Sequence, residues 1–313
     1  MALGDMDRVL RSNLKLRHLQ LLIALDEFRH LGHAAEFLSL TQPAVSKSLA
    51  EIERMFGLSL FTRSTRGTEP TPSGATVVRF ARSVLADFGR TQDEIAAVAS
   101  GAAGRVSVGA MVVATPRLLA PAIRALKTRS ARTTVLVEEG DLTRLLPRLR
   151  LGELDFIVGR LEPGYAAPDL ETEALYEEPM CVVIPRGHAL GRQRGIEWKD
   201  LVSLPWVLPP VWASSRTKLN QVFYQHGLNP PTDIVETSSY LNTHTFMQQL
   251  QAIGFVAHSV AQDLEAKGLA RQLAIAIPFA LPPVGLISMR ARLHTPSSLQ
   301  LIDCLRHQAR LYT

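Results

Sequence analysis

Cysteine is nearly absent from this chain. Two thiols, Cys181 and Cys304, are far apart in 313 residues, which excludes a disulfide scaffold and a Cys-rich zinc site and suits a reducing compartment. Long apolar runs are missing too: none approaches the ~18 residues of a membrane span. The N-terminal MALGDMDRVLRSNLK sets charges where an export signal needs an apolar stretch, so the expectation is a cytoplasmic protein without membrane contact. A strong charge of one sign is also lacking, since 34 Lys and Arg against 29 Asp and Glu leave +5. The nine His fall without metal-ligand spacing. No GxSxG, P-loop, HExxH or GxGxxG occurs; GAAGRVSVG is wrongly spaced and precedes its strand. Neither an enzyme, a metal nor a cofactor is expected.

What is present is a globular composition, 46% hydrophobic and 20% charged, on a chain too long for one core. Residues 1–72 carry 9 basic and 8 acidic side chains, residues 73–100 carry 3 of each, and the rest 22 and 18. The excess charge is spread along the C-terminal part, so bulk charge marks no binding region and local pattern must.

Leu16, Leu19, Leu22, Ile23 and Phe28 fall at helical spacing after Asn13, a plausible N-cap. Ala34 and Ala35 then let another helix approach closely. In LTQPAVSKSLAEIERMFG, Thr41 is an N-cap and Pro43 lies in the first turn, where its missing N–H costs little. Val45, Leu49, Ile52 and Phe56 form a buried stripe; Gln42, Pro43, Ser46 and Lys47 lie off it. A polar N-terminal face set across a short turn from a small-residue helix suits a helix-turn-helix, because the major groove admits one helix and its N-terminal residues reach base edges. The alternative is a helical hairpin with a solvated face. LSLFTRSTRGTEPTPSG follows, a short strand with Arg63 and Arg66 around a Gly67 turn. It reads as a wing for minor groove or phosphates, or as a solvated loop.

The run from AAEFLSLTQPAVSKSLAEIERMFG through LFTRSTRGTEPTPSG resembles the N-terminal domain of LysR-type transcriptional regulators, and the likeness extends over almost the whole chain. The resemblance implies base contacts from Gln42, Pro43 and Ser46, and backbone or minor-groove contacts from Lys47, Arg63 and Arg66. TQPAVSK and WVLPPVWASSR look most like regulators of sugar uptake and of aromatic-acid catabolism.

Thr71 and Pro72 open a long helix ending near Gly101. Val77, Ala81, Val84, Phe88, Thr91, Ile95 and Val98 form a heptad seam, with Thr91 its weak point. A dimerising coiled coil is expected; the competing arrangement packs the helix on its own chain. The resemblance implies the same dimer, which sets two recognition helices on two half-sites and assembles into a homotetramer, with RNA polymerase a further partner.

Beyond Gly104, strand patterns at 105–113, 133–139, 155–159, 180–185, 206–210, 233–238, 254–258 and 284–289 alternate with helical ones. This predicts parallel α/β sheet buried on both faces. The fold class expected is thus α/β with an N-terminal all-α winged helix-turn-helix. Its domains are 1–72 (reader), 73–101 (linker helix) and 102–313 (effector domain), the last split into 102–162 plus 285–313 and 168–275. The resemblance implies two subdomains like a periplasmic solute-binding protein, with an effector in the cleft between them. A solute-binding protein proper is the other reading; the added helix-turn-helix argues against it.

Ligands in such sheets sit beyond strand C-terminal ends, near helix N-termini. That singles out Thr115, Arg160, Trp212, Ser214, Ser215, Arg216, Ser238 and His258 for a carboxylate, sugar or aromatic acid; the plain alternative is that the Ser and Thr only cap helices. The loop from Gly109 to Pro121 is one residue longer than in familiar relatives, with Met111-Val112-Val113-Ala114 where a Ser or Thr is usual. Cys181 and Cys304 read as small core hydrophobes, against a redox switch.

Overall fold

The computed structural model describes residues 14–64, 67–100, 104–290 and 292–312. It divides into two compact units, Met1–Ile95 with Arg150–Glu153, and Ala96–Leu149 with Leu154–Thr313.

The first unit opens with α1 (Leu16–Phe28), α2 (Leu31–Phe37) and α3 (Gln42–Phe56). Asn13 lies outside the described residues; the N-cap of α1 is Lys15, whose N–H donates to Nδ1 of buried His18 (3.3 Å). Thr41 caps α3 as expected, its hydroxyl accepting from the Ala44 N–H, and Gly57 ends it at φ 66°. Val45, Leu49, Ile52 and Phe56 pack with Leu22, Leu25, Ala34 and Ala35 into one core. Truncating Leu49 would cost about 2–5 kcal/mol. β1 (Phe61–Ser64) and β2 (Gly67–Pro70) pair antiparallel as the wing. α4 (Pro72–Ser100) follows without a break.

The second unit holds two five-stranded sheets. The first runs β4 (Thr134–Glu139), β3 (Arg105–Ala110), β5 (Phe156–Arg160), β12 (Val284–Met289), β6 (Leu170–Tyr176). The second runs β11 (Ala270–Gln272), β7 (Met180–Pro185), β10 (Ile253–Ala257), β8 (Trp206–Leu208), β9 (Ile234–Glu236). Every residue of β5 is buried, Phe156 and Val158 in one core and Ile157 in another, so the first sheet is covered on both faces. α5 (Ala120–Arg129) and α11 (Pro296–Ala309) pack together on one face, and α6 (Leu142–Leu151) lies on the other. The second lobe centres on Trp206, Phe223 and Phe255; the Trp206 indole N–H donates to the Leu201 carbonyl (3.0 Å) of α7 (Trp198–Leu201). Around this core lie α8 (Ser214–Gln225), α9 (Tyr240–Leu250) and α10 (His258–Ala266).

Two expectations need correction. The sheets are mixed, not parallel: β12 runs antiparallel to β5 and β6, and β7 antiparallel to β10 and β11. The chain also crosses between lobes after β6, not at 161–168, because β6 pairs with β12 in the first sheet; the Pro-Gly stretch makes only a short 3-10 turn, Pro163–Tyr165. The segment 168–176 therefore belongs to the first lobe.

Candidate functional site

On α3, Gln42, Pro43 and Lys47 are exposed and Ser46 is half-buried; Pro43 and Lys47 lie on the side away from the core stripe, with Gln42 and Ser46 on its flank. The wing is fixed to this helix by a residue the sequence reading passed over. Oε1 of Glu53 accepts from the Leu60 N–H (2.7 Å) and the Phe61 N–H (3.1 Å), so one carboxylate oxygen holds the strand leading into the wing. The far strand is pinned by the Thr68 N–H, which donates to the Arg29 carbonyl (2.8 Å). Gly67, at φ 127°, passes so close that a Cβ would lie 2.5 Å from that oxygen. Arg63 lies in β1 opposite Thr68; Arg66 falls outside the described residues.

The expected seam on α4 divides. Ala81 is fully buried and Val77 packs on the core of the winged domain, so these two are corrected to intrachain contacts. Val84 is half-buried, Phe88 and Ile95 are exposed (43% and 64%) and Phe80 joins them. The Val98 side chain lies outside the described residues.

Between the lobes of the second unit lies a cavity of about 160 Å³. Of the eight residues expected at the strand ends, Arg160, Trp212, Ser215 and Ser238 line it. Thr115, Ser214, Arg216 and His258 do not, and the reasons are local. After β3 the chain makes a 3-10 turn over Val112–Ala114 and then a wide π turn over Thr115–Leu119, so Met111–Val113 line the cavity and Thr115 lies beyond it. Ser214 donates to Glu162 Oε1 (2.7 Å), joining the two lobes. Arg216 is buried and donates from Nη1 to Glu236 (3.2 Å) and from Nε to Asn220 (3.2 Å). His258 Nδ1 lies 3.3 Å from the Cys181 sulfur; burial pushes that thiol up to about 12, and the Cys304 thiol also rises through burial.

Arg160 is 4% exposed. Its Nη1 donates to the Pro282 carbonyl (2.6 Å) and its Nη2 to that of Glu178 (3.0 Å). Desolvation lowers its pKa, against Glu162 and Glu178, but a guanidinium stays charged. Met111, Met180 and Phe255, missed from sequence, form apolar walls. A legible sign of Met111 was Gly159 inside a strand: a Cβ there would meet the Met111 sulfur at 2.5 Å.

The fold agrees with comparison to known proteins. The family model for the "Bacterial regulatory helix-turn-helix protein, lysR family" matches residues 16–75, and that for the "LysR substrate binding domain" matches 99–310. The chain belongs to the LysR family of transcriptional regulators. It is a DNA-binding regulator with an effector-binding domain and not an enzyme. Among curated relatives, GbpR of Azospirillum brasilense is 32% identical over 95% of this chain and 87% of its own, and GalR of Pseudomonas putida 30% over 93% and 73%. Among solved structures, the LysR family regulator CbnR superposes with TM-score 0.71 at 20% identity, covering 95% of this chain and 99% of its own. CbnR complexed with its target DNA gives 0.70, covering 94% and 100%. At that identity the likeness is one of fold. Among the described residues no helix is long and apolar enough to cross a membrane, and no cluster of three or more His, Cys, Asp or Glu could hold a metal.

Proposed function

We propose that this LysR regulator reads promoter DNA in the cytoplasm with the N-terminal turns of α3 and the wing, and that a small molecule in the interlobe cavity alters that binding. Gln42 suits bidentate pairing with adenine, Ser46 suits either a donor or an acceptor, and Lys47, Arg63 and Arg66 suit phosphates or the minor groove. A homodimer through Phe80, Val84, Phe88 and Ile95 pairs two readers, and two dimers make a tetramer able to contact RNA polymerase. The carrying observation is the cavity itself: both lobes line it, and the Ser214–Glu162 hydrogen bond spans them, so a ligand there has contacts that depend on lobe angle.

The reading face is tested by mobility shift on selected and random DNA. Gln42→Ala should relax preference at one base position, costing about 1–3 kcal/mol on selected DNA, while Lys47→Ala should weaken both DNAs alike and lower the salt slope by about 1. Equal loss on both DNAs for both variants would contradict the assigned roles.

A further inference from the structure

We propose that His30 contacts the DNA backbone, its Nε2–H donating to a phosphate oxygen beside the base pairs that Gln42 reads. This rests on the reading that the start of α3 and the wing face DNA, and adds to it a residue that belongs to neither element.

The chemistry of the ring is set by the backbone next to it. His30 is the N-cap of α2, and its Nδ1 accepts from the N–H groups of Gly32 (3.1 Å) and His33 (3.4 Å). A ring nitrogen that accepts two N–H groups carries no hydrogen, so in the neutral ring the hydrogen sits on Nε2. That nitrogen has no protein partner among the described residues, and the residue is exposed. The N–H groups that open this short helix are thus taken by the ring, and the donor left over is the ring itself. A phosphate oxygen, which only accepts, is its complement. The exposed His33 ring lies against it, centroids 4.5 Å apart. Cap and ring contact together fix the donor before DNA arrives, so little rotamer freedom is lost in the contact.

The fold sets that donor between the two reading elements. A Cβ on Gly32 would lie 3.1 Å from His30 Cε1 and 3.9 Å from Gln42 Oε1, so the imidazole and the Gln42 amide flank one glycine. On the other side, the Arg29 carbonyl accepts the Thr68 N–H (2.8 Å) and Gly67 packs on the same oxygen, which ties β2 of the wing to the residue before His30. The Arg29 guanidinium pairs with Asp26 (2.8 Å), so the donor left unpartnered between Gln42 and the wing is the imidazole.

In a helix-turn-helix the second helix enters the major groove while the first crosses the strand backbone. With α3 in the groove, the N-cap of α2 beside Gln42 meets phosphate and not base edges. A neutral donor there adds affinity without reading sequence.

The test measures DNA affinity of the full-length protein at pH 8 by fluorescence anisotropy, on selected and on random duplexes. The variants are His30→Ser, His30→Asp and Lys47→Ala. Ser and Asp both serve at an N-cap, so the unfolding midpoint of the winged domain should hold in both. His30→Ser withdraws the outward donor and should weaken both duplexes alike, by about tenfold per half-site, as for a hydrogen bond to a charged group. The salt slope should not change, because the ring is neutral. His30→Asp sets a negative charge against the phosphate and should weaken both duplexes further. Methylphosphonate placed at each phosphate of the selected duplex in turn then locates the contact. At one phosphate per half-site it should weaken the wild type about tenfold and His30→Ser no further. Measured well below the midpoint, that comparison reads the contact whether or not a variant shifts stability. Unchanged affinity of His30→Ser for both duplexes overturns the proposal. A loss confined to selected DNA does so too, because His30 would then act by orienting Gln42. Methylphosphonate losses that add to that of the variant at every position also overturn it. If Lys47→Ala is silent as well, the reading face itself falls; if His30 alone is silent, that face stands without it.

Discussion

Glu53 shows how much one side chain can decide. It lies on the flank of the recognition helix, yet its role is to hold the wing strand through two backbone N–H groups. Glu53→Ala leaves those donors half-buried and unpaired and should cost about 2 kcal/mol of stability. Glu53→Gln keeps an acceptor and should recover most of it. Chemical denaturation of the two variants checks this, and equal loss in both would show that charge, not acceptance, matters. His18 supplies a pH dependence with a definite sign. Burial lowers its pKa from 6.5, ahead of the opposing pull of Glu51, so the fold favours the neutral ring, which accepts the Lys15 N–H. Its stabilisation is complete above pH 6.5 and is lost as pH falls through 6.5 toward the lower folded value. The winged domain should therefore melt lower at pH 5 than at pH 7, and His18→Gln should flatten that slope; an identical slope in the variant would remove His18 as its source.

Among elements, legibility followed how local the determinants are. α3 was readable to its ends because Thr41, Pro43, the apolar stripe and Gly57 are all adjacent in sequence and act through backbone geometry alone. β6 was not, because LETEALY has helix-favouring Glu, Ala and Leu and only its ends are fully buried; it is a strand because β12, more than a hundred residues on, pairs with it. Missing β6 misplaced the lobe crossover. The cleft was legible at strand ends such as Arg160, where topology dictates position, and illegible for Arg216, which lies inside the first turn of α8 with its side chain turned to Glu236. The seam on α4 was half legible, since periodicity marks an apolar face without saying what covers it. Ala81 covers its own domain, while Phe88 and Ile95 remain on the surface. Phe88→Asp with Ile95→Asp should thus give a folded monomer by sedimentation equilibrium, with DNA affinity reduced at least about tenfold from the lost second half-site. Ala81→Asp should instead unfold the winged domain. A double variant that stays dimeric would overturn the seam.

For the whole molecule, the sparse net charge makes sense once function is divided. The 1–72 segment is nearly neutral by count, which argues against a basic field; in the proposed account recognition rests on a few placed side chains, doubled by the proposed dimer. The effector domain is built differently: two mixed sheets with a buried cation between them, and a hydrogen bond from Ser214 to Glu162 that a change in lobe angle would stretch or break. In the proposed account ligand binding and lobe angle are linked through those contacts, and by reciprocity DNA binding should alter ligand affinity as the ligand alters DNA binding. The most direct measurement is a footprint of the full-length protein on the DNA it selects most strongly from a random pool, for wild type and for Ser214→Ala, which removes the interlobe hydrogen bond. The account predicts that the variant, with that restraint on lobe angle gone, protects a different span or binds with a different affinity. A footprint and affinity identical to the wild type in a folded variant would contradict the coupling of the interlobe cavity to DNA.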